Sequence, residues 1–288
     1  MEKPPTIELG DFRVAFLTDG LWRNDGGCML GVVPRALWQR EHPPDARNRI
    51  RLNLTCPLVM KGRDAVLIDT GIGNRLSPDE REIFDHGDGW LLDGLRLLGM
   101  EPGDVTHVIL SHLHFDHCGG IIRRRESGAF EPSFPRARIF IQRGELEIAR
   151  ESRNERLRAA YRHVAECLEP VAAMIEAIGG DSEVLPGLSA VVTGGHTRDH
   201  QIAIVRAGGG GFVHLADIVP TRSHIRAAWN QAYDLDALRT MEEKDRYLRQ
   251  AVRDRWWVGF AHDPSMFAAR IDLSGGKLVA GENIAVRE

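Results

Sequence analysis

The chain has 288 residues, a formal net charge of −4, and 43% hydrophobic and 27% charged residues. That length is enough to bury a substantial core, and the balance is ordinary for a soluble globular protein. The weak negative charge gives no footprint for a nucleic-acid partner, and no run approaches the ~18–20 apolar residues of a membrane span. The first ten residues lack the basic start and apolar core of a signal peptide, so a cytoplasmic protein is expected. Cys28, Cys56, Cys118 and Cys167 are widely spaced with no CxxC, and reduced thiols are expected.

Residues 12–18 read as a first strand ending at the turn signal Asp19-Gly20. Residues 21–48 read as a long loop with one short helix starting at Pro34, a favoured first helical position. Trp22, Met29 and Trp38 in this loop either wall a pocket or cover the outside of the core. Residues 51–60 and 65–68 read as a hairpin whose second strand runs into Asp69-Thr70-Gly71. An acid at a buried strand end is costly unless it is hydrogen-bonded. Residues 88–98 predict a helix capped by Asp88, with Leu91, Leu92, Leu95 and Leu98 on one face and Gly99 at its end.

Residues 105–110 are apolar and partly β-branched, and predict a buried strand. Its C-terminal edge receives Ser111-His112-Leu113-His114-Phe115-Asp116-His117-Cys118-Gly119-Gly120. Side chains two apart in an extended segment point the same way, so His112 and His114 can grip one cation together. Asp116 and His117 follow after the chain has turned, which suits two neighbouring metals better than one. Imidazole and carboxylate favour zinc, with iron, cobalt and manganese also open. The bland alternative is a solvated polar loop, and four ligand-grade side chains at this spacing outweigh it. Cys118, beside His117, is expected to pack rather than to ligate.

Gly119-Gly120 lets the chain turn closely past the cations into residues 121–126, expected to be helical. Residues 136–142 read as a strand. Residues 144–178 read as two helices broken near Pro170, the second of them apolar on most sides. A helical insertion at about residues 143–180 follows, offering a lid or a homodimer face. No repeat or low-complexity linker divides the chain, so one domain over residues 1–288 is expected. Residues 191–201 carry His196 and His200, either of which is a competent ligand. Residues 202–205 and 212–216 read as strands, the second ending at Asp217. Residues 235–252 read as an amphipathic helix with Leu235, Leu238, Met241, Leu248 and Val252 on its stripe. The strand at 256–261 delivers His262.

The run from His112 to His117 resembles the H-x-H-x-D-H signature of the metallo-β-lactamase superfamily. With it, all five of that family's motif blocks are present in order, and the resemblance covers about residues 10–275. The resemblance implies an α+β fold, a four-layer αββα sandwich with two divalent metal ions, most often Zn2+, between its sheets. It implies His112, His114 and His196 as ligands of one ion, Asp116, His117 and His262 as ligands of the other, and Asp217 as the bridge. His200 becomes a supporting residue, and Asp69 one that orients a ligand histidine. The implied chemistry is hydrolysis by a metal-bridging hydroxide, with Asp116 orienting it as well as binding metal.

His-Leu-His-Phe-Asp-His-Cys-Gly-Gly resembles the version found in N-acyl homoserine lactonases, which are quorum-quenching enzymes. Size and insertion are also similar to the methyl parathion hydrolase group. The expected function is therefore a dinuclear hydrolase of a lactone or related small-molecule ester. Organophosphate or aryl ester hydrolysis on the same site is the alternative. A mono-iron persulfide dioxygenase is the reading from a different class, and the full second donor set argues against it. Lactonases commonly place a tyrosine shortly after the bridging aspartate, whereas this chain has Ile218-Val219-Pro220-Thr221. Either another group, such as His224 or Thr221, meets the substrate oxygen, or the substrate differs.

Overall fold

A computed structural model describes residues 2–87, 89–151, 154, 155, 157, 161 and 163–286. The cap expected at Asp88 lies outside these residues. Strands are numbered in chain order. The first group is β1 (Thr6–Leu9), β2 (Phe12–Asp25), β3 (Arg49–Lys61), β4 (Asp64–Ile68) and β5 (His107–Ile109). A small hairpin, β6 (Ile122–Arg124) and β7 (Phe130–Pro132), is followed by β8 (Arg138–Gln142) and β9 (Ile175–Ile178). The rest are β10 (Ser182–Leu185), β11 (Leu188–Val192), β12 (Gln201–Ala207), β13 (Gly210–His214), β14 (Trp256–Gly259), β15 (Met266–Ser274) and β16 (Lys277–Ala285). One seven-stranded sheet runs β1-β2-β3-β4-β5-β8-β9, and the other runs β10 to β16 in sequence order.

Side-chain alternation builds the layers. Along β2, Phe12, Val14 and Phe16 enter the space between the sheets, while Ala15 and Leu17 face the opposite way. On β4, Val66 and Ile68 point inward and Ala65 and Leu67 outward. On β13, Phe212 points inward and Val213 outward. Phe16 closes the middle layer against Phe212 and Phe267 of the opposite sheet, at centroid distances of 5.7 and 5.9 Å. The outer face of the first sheet packs against the helices Leu91–Leu97, Arg143–Glu151 and Val164–Leu168. The outer face of the second packs against the helix Ala237–Asp254. The result is the αββα sandwich.

Four local expectations change. The turn signal Asp19-Gly20 is a bulge: the register of β2 on β3 shifts between Thr18 and Leu21, Gly20 has φ of 108°, and the strand continues to Asp25. Trp22 therefore sits on a strand rather than in a loop. Within residues 121–126, Ile122–Arg124 form β6 instead of a helix, because β7 is within reach across a turn at Gly128. The insertion at 143–180 is helical only in part. Its apolar second half gives the short 3-10 turn Ala172–Met174 and then β9, which pairs in parallel with β8. A free sheet edge uses β-branched and apolar residues better than an isolated short helix does. Finally, helix Ala237–Asp254 buries Thr240, Lys244, Tyr247, Leu248 and Ala251, and leaves Leu235 and Leu238 at 42% and 72% exposure.

Strands β4 and β5 run parallel, as do β13 and β14, and their C-terminal ends lead into the loops that carry the motif residues. Among the described residues no helix is long and apolar enough to cross a membrane.

Candidate metal centre

The chain leaves β5 through Leu110 and Ser111, then enters a short helix Phe115–Cys118 that His114 caps in an extended conformation. His112 and His114 thus lie on the extended stretch, and Asp116 and His117 on the helical turn. His196 follows β11, Asp217 follows β13 and His262 follows β14. At Ala216 the backbone turns left-handed, with φ of 44°, which carries Asp217 off the strand into the turn Ala216–Ile218. Such a conformation costs a non-glycine residue about 1–2 kcal/mol, so the surrounding packing must hold it.

Three donor groups form, each with its ligand atoms within 4.8 Å of one another: His112, His114 and His196; His112, His117 and Asp217; Asp116, His117 and His262. Asp217 reaches both ends. Its Oδ2 lies 3.3 Å from His196 Nε2, and its Oδ1 lies 3.2 Å from His117 Nε2 and 3.2 Å from His262 Nε2. Asp116 Oδ2 lies 3.4 Å from His262 Nε2 and 3.7 Å from His117 Nε2. His114 Nδ1 and His196 Nε2 are 3.1 Å apart.

The outer ring nitrogens are spoken for. His117 Nδ1 meets Asp69 Oδ2 at 2.9 Å, His196 Nδ1 meets Asp234 Oδ1 at 2.9 Å, and His262 Nδ1 meets the Asn53 carbonyl at 3.0 Å. Carboxylates and carbonyls only accept, so each Nδ1 carries the proton. In the neutral rings every Nε2 is then a lone pair aimed inward. His112 Nε2 and Asp217 Oδ1 are buried with no hydrogen-bond partner. Lone pairs facing one another at such distances repel unless a cation lies among them, and the donor chemistry suits zinc.

The electrostatics agree. Burial would lower His117, but Asp217, Asp69 and Asp116 raise it well above its ordinary value. Burial would raise Asp217, but His117, His262 and His196 hold it well below the carboxylate range. The centre is a buried pocket that favours positive charge. Burial and the neighbouring rings push His112 and His114 well down, so both are neutral and available as ligands.

Asp69 also accepts from the Ser111 amide at 2.7 Å and the Ser111 hydroxyl at 2.8 Å, tying the end of β4 to the motif. His200 joins none of the three donor groups. Its Nδ1 bonds Thr193 Oγ1 at 2.8 Å, its Nε2 receives the Asp217 amide at 3.4 Å, and burial lowers it to about 3. Of the four pocket residues expected from sequence, Trp22 alone meets a donor ring, with its centroid 5.6 Å from that of His262. Phe115 and Phe84 extend this wall. Met29 and Trp38 are buried beneath it in the same cluster. His224 is buried as well, bonding the Met29 carbonyl at 2.9 Å and Thr221 Oγ1 at 2.8 Å.

Three supporting residues have no local signal in the sequence: Asn53, Asp234 and Gln231. Gln231 donates to Asp217 Oδ2 at 2.9 Å. The loop carrying Gln231 and Asp234 is pinned by Lys244, a buried lysine on the facing helix. Its Nζ donates to the Trp229 carbonyl at 2.7 Å and to Asn230 Oδ1 at 2.6 Å.

Residues 55–262 match the Metallo-beta-lactamase superfamily. An N-acyl homoserine lactonase of Bacillus cereus is 32% identical over 234 residues, covering 75% of this chain and 83% of its own. A probable metal-dependent hydrolase from Staphylococcus aureus superposes with a TM-score of 0.88 at 28% identity, over 98% of this chain and 99% of that one. AidC, a dizinc quorum-quenching lactonase, shares the fold with a TM-score of 0.79 at 20% identity, over 99% of this chain and 98% of its own. Motif order, sandwich and match over most of the sequence agree: the chain belongs to the metallo-β-lactamase superfamily.

Proposed function

We propose that this protein is a dinuclear metal-dependent hydrolase that opens a lactone or cleaves a related small ester. His112, His114 and His196 would hold one divalent ion, Asp116, His117 and His262 the other, and Asp217 lies within reach of both donor groups. The observation that carries this reading is the convergence of inward ring nitrogens on one buried carboxylate, with Asp217 Oδ1 and His112 Nε2 left without a hydrogen-bond partner. When bound, two zinc ions would bring the pKa of a shared water towards neutrality and polarise the substrate carbonyl.

The chain supplies the rest. Asp116 is the more exposed of the two donor carboxylates, at 10% against 5% for Asp217, and it is placed to orient the attacking water and accept its proton. Trp22, Phe115 and Phe84 exclude solvent on the His262 side and offer an apolar bed for an acyl or aryl group.

The missing tyrosine has a candidate replacement. Tyr161 gives its hydroxyl proton to Glu145, and Tyr247 lies in the outer core. Tyr233 packs on the Trp22 cluster, Asn24 Nδ2 donates to its oxygen at 3.4 Å, and its hydroxyl is hydrogen-bonded to the Cys28 thiol, the partner a substrate oxygen would displace. Burial, Cys28 and the charge of Asp116 all push Tyr233 up, so it stays a hydrogen-bond donor at neutral pH. We assign it the contact to the substrate oxygen.

The test is metal content together with pH-stat hydrolysis of an N-acyl homoserine lactone, before and after stripping and reloading. Two metals per chain and metal-dependent ring opening are expected. Fewer than two metals in active protein would sink the dinuclear reading. No lactone turnover by a two-metal protein would move the substrate to aryl or phosphate esters, which the same aromatic wall would also bed.

A further inference from the structure

We infer that Glu145 is a positioning residue for the first metal: its carboxylate locks the two loops that carry His112, His114 and His196 into one unit. This rests on the metal reading above. Glu145 lies in the first turn of helix Arg143–Glu151 and is 1% exposed. Its Oε2 accepts the Leu113 amide at 3.1 Å and the Tyr161 hydroxyl at 2.7 Å, and its Oε1 accepts the Thr197 hydroxyl at 2.5 Å. Leu113 stands between His112 and His114, and Thr197 directly follows His196. The Tyr161 ring meets His114 edge-on, with centroids 5.4 Å apart and planes at 76°.

The need for such a lock follows from the topology. His112 and His114 follow β5 of one sheet, and His196 follows β11 of the other. Their relative placement depends on how the two sheets close, and sheet packing is not set to the few tenths of an ångström that zinc ligation demands. Glu145 spans that junction directly behind the ligands. A buried carboxylate is expensive unless its oxygens are satisfied, and here three donors from three separate segments satisfy it. Losing the Leu113 or the Thr197 bond frees a ligand loop, and losing the Tyr161 bond releases the ring packed against His114. The brace comes from the insertion between the metal motifs, so that segment acts on the centre and does not merely cover it.

The experiment compares zinc-loaded wild type with Glu145→Ala, Glu145→Gln and Thr197→Val. A competing chelator is titrated in, zinc release is counted, and the melting temperature of each apo form is recorded. Wild type should release two equivalents. In Glu145→Ala one equivalent should bind about 10–100-fold more weakly, the range seen when residues behind metal ligands are removed. The other equivalent should hold as before. Glu145→Gln should recover part of the loss, because its amide oxygen still accepts from Leu113. Thr197→Val should show a smaller loss with an apo melting temperature close to wild type.

Unchanged retention in both Glu145→Ala and Thr197→Val would overturn the proposal. Equal weakening of both equivalents would also overturn it, since that is general structural damage. If Glu145→Ala does not fold, Thr197→Val decides on the same criteria. A wild type that binds no zinc would instead sink the hydrolase reading, which separates the two failures.

Discussion

His117 and His262 face each other with their Nε2 atoms 3.2 Å apart, and each commits its Nδ1 proton to an outside acceptor. With both rings neutral, two lone pairs point at each other inside a dry pocket. Either one ring takes a proton or a cation lies between them. Stripping the metal should therefore cost stability at neutral pH. A ligand at a hundred times its dissociation constant stabilises by about 2.7 kcal/mol, which for a chain of this size is roughly 5–10 °C in Tm. Calorimetry before and after chelation, with zinc added back, checks this. No shift in a sample shown to have lost its metal would contradict a structural pull of the cation on these rings.

The outside acceptors should be separable. Asp69→Asn removes the charge behind His117, and Asp234→Asn removes the charge behind His196. Each should lower affinity at its own ion by about 10–100-fold, as outer hydrogen-bond partners of ligand histidines commonly do. Chelator titration reads this directly. Should Asp234→Asn weaken the ion at His117 as much as the ion at His196, the two-site partition is mistaken.

The motif from His112 to His117 was legible because its chemistry is local: strand then turn, with ligand types at fixed spacing. His196, Asp217 and His262 were legible as acids and imidazoles at strand ends. Asp234, Gln231 and Glu145 were not, because their partners lie 38, 14 and 52 positions away in the chain. Nothing in a helix start such as Arg143-Gly144-Glu145 announces that its acid will be buried behind another loop. The elements misread from sequence were short segments, residues 121–126 and 171–178, whose state is set by the neighbouring strands β7 and β8. Period alone cannot separate helix from strand in so short a run.

Asp19 should leave a signature in the pH dependence of stability. It is buried at the β2 bulge, where Gly73 donates its amide at 2.7 Å and His86 Nε2 lies at 3.8 Å. Desolvation outweighs these contacts and raises it to about 7. The folded state then holds a proton between about pH 4 and 7 that the unfolded chain has released. Its contribution is full at acid pH and is lost as pH rises through 7, amounting to about 4 kcal/mol over the window. Asp19→Asn should flatten that slope relative to wild type. Parallel stability-versus-pH curves for the two proteins would show that Asp19 is ionised in the fold.

Tyr233→Phe should keep both metals and the fold, since the ring stays in its cluster. Losing one hydrogen bond to a charge-bearing oxygen is worth about 1.5–3 kcal/mol, roughly 10–100-fold in rate. The loss should fall on kcat more than on KM, because charge on the substrate oxygen grows towards the transition state. An unchanged kcat on the true substrate would mean that Tyr233 does not meet the substrate oxygen.

Gly120→Ala tests how closely the chain must pass the site. A Cβ at Gly120 would lie 2.1 Å from the Thr70 carbonyl oxygen, so backbone has to move. Thr70 is the residue whose amide and hydroxyl both bond the His117 carbonyl, at 2.8 and 2.9 Å. Pushing it away loosens the Asp69 segment from His117 and separates the carboxylate from the ring it orients. Overpacking of this kind typically costs about 1–3 kcal/mol. Gly208→Ala is the control, because nothing lies within 4 Å of the added Cβ. It should change stability by less than about 0.5 kcal/mol. Chemical denaturation with zinc counting on both variants gives the comparison. Gly120→Ala should lose stability and the ion at His117 together, and Gly208→Ala neither; equal behaviour of the two would mean that Thr70 yields without moving Asp69.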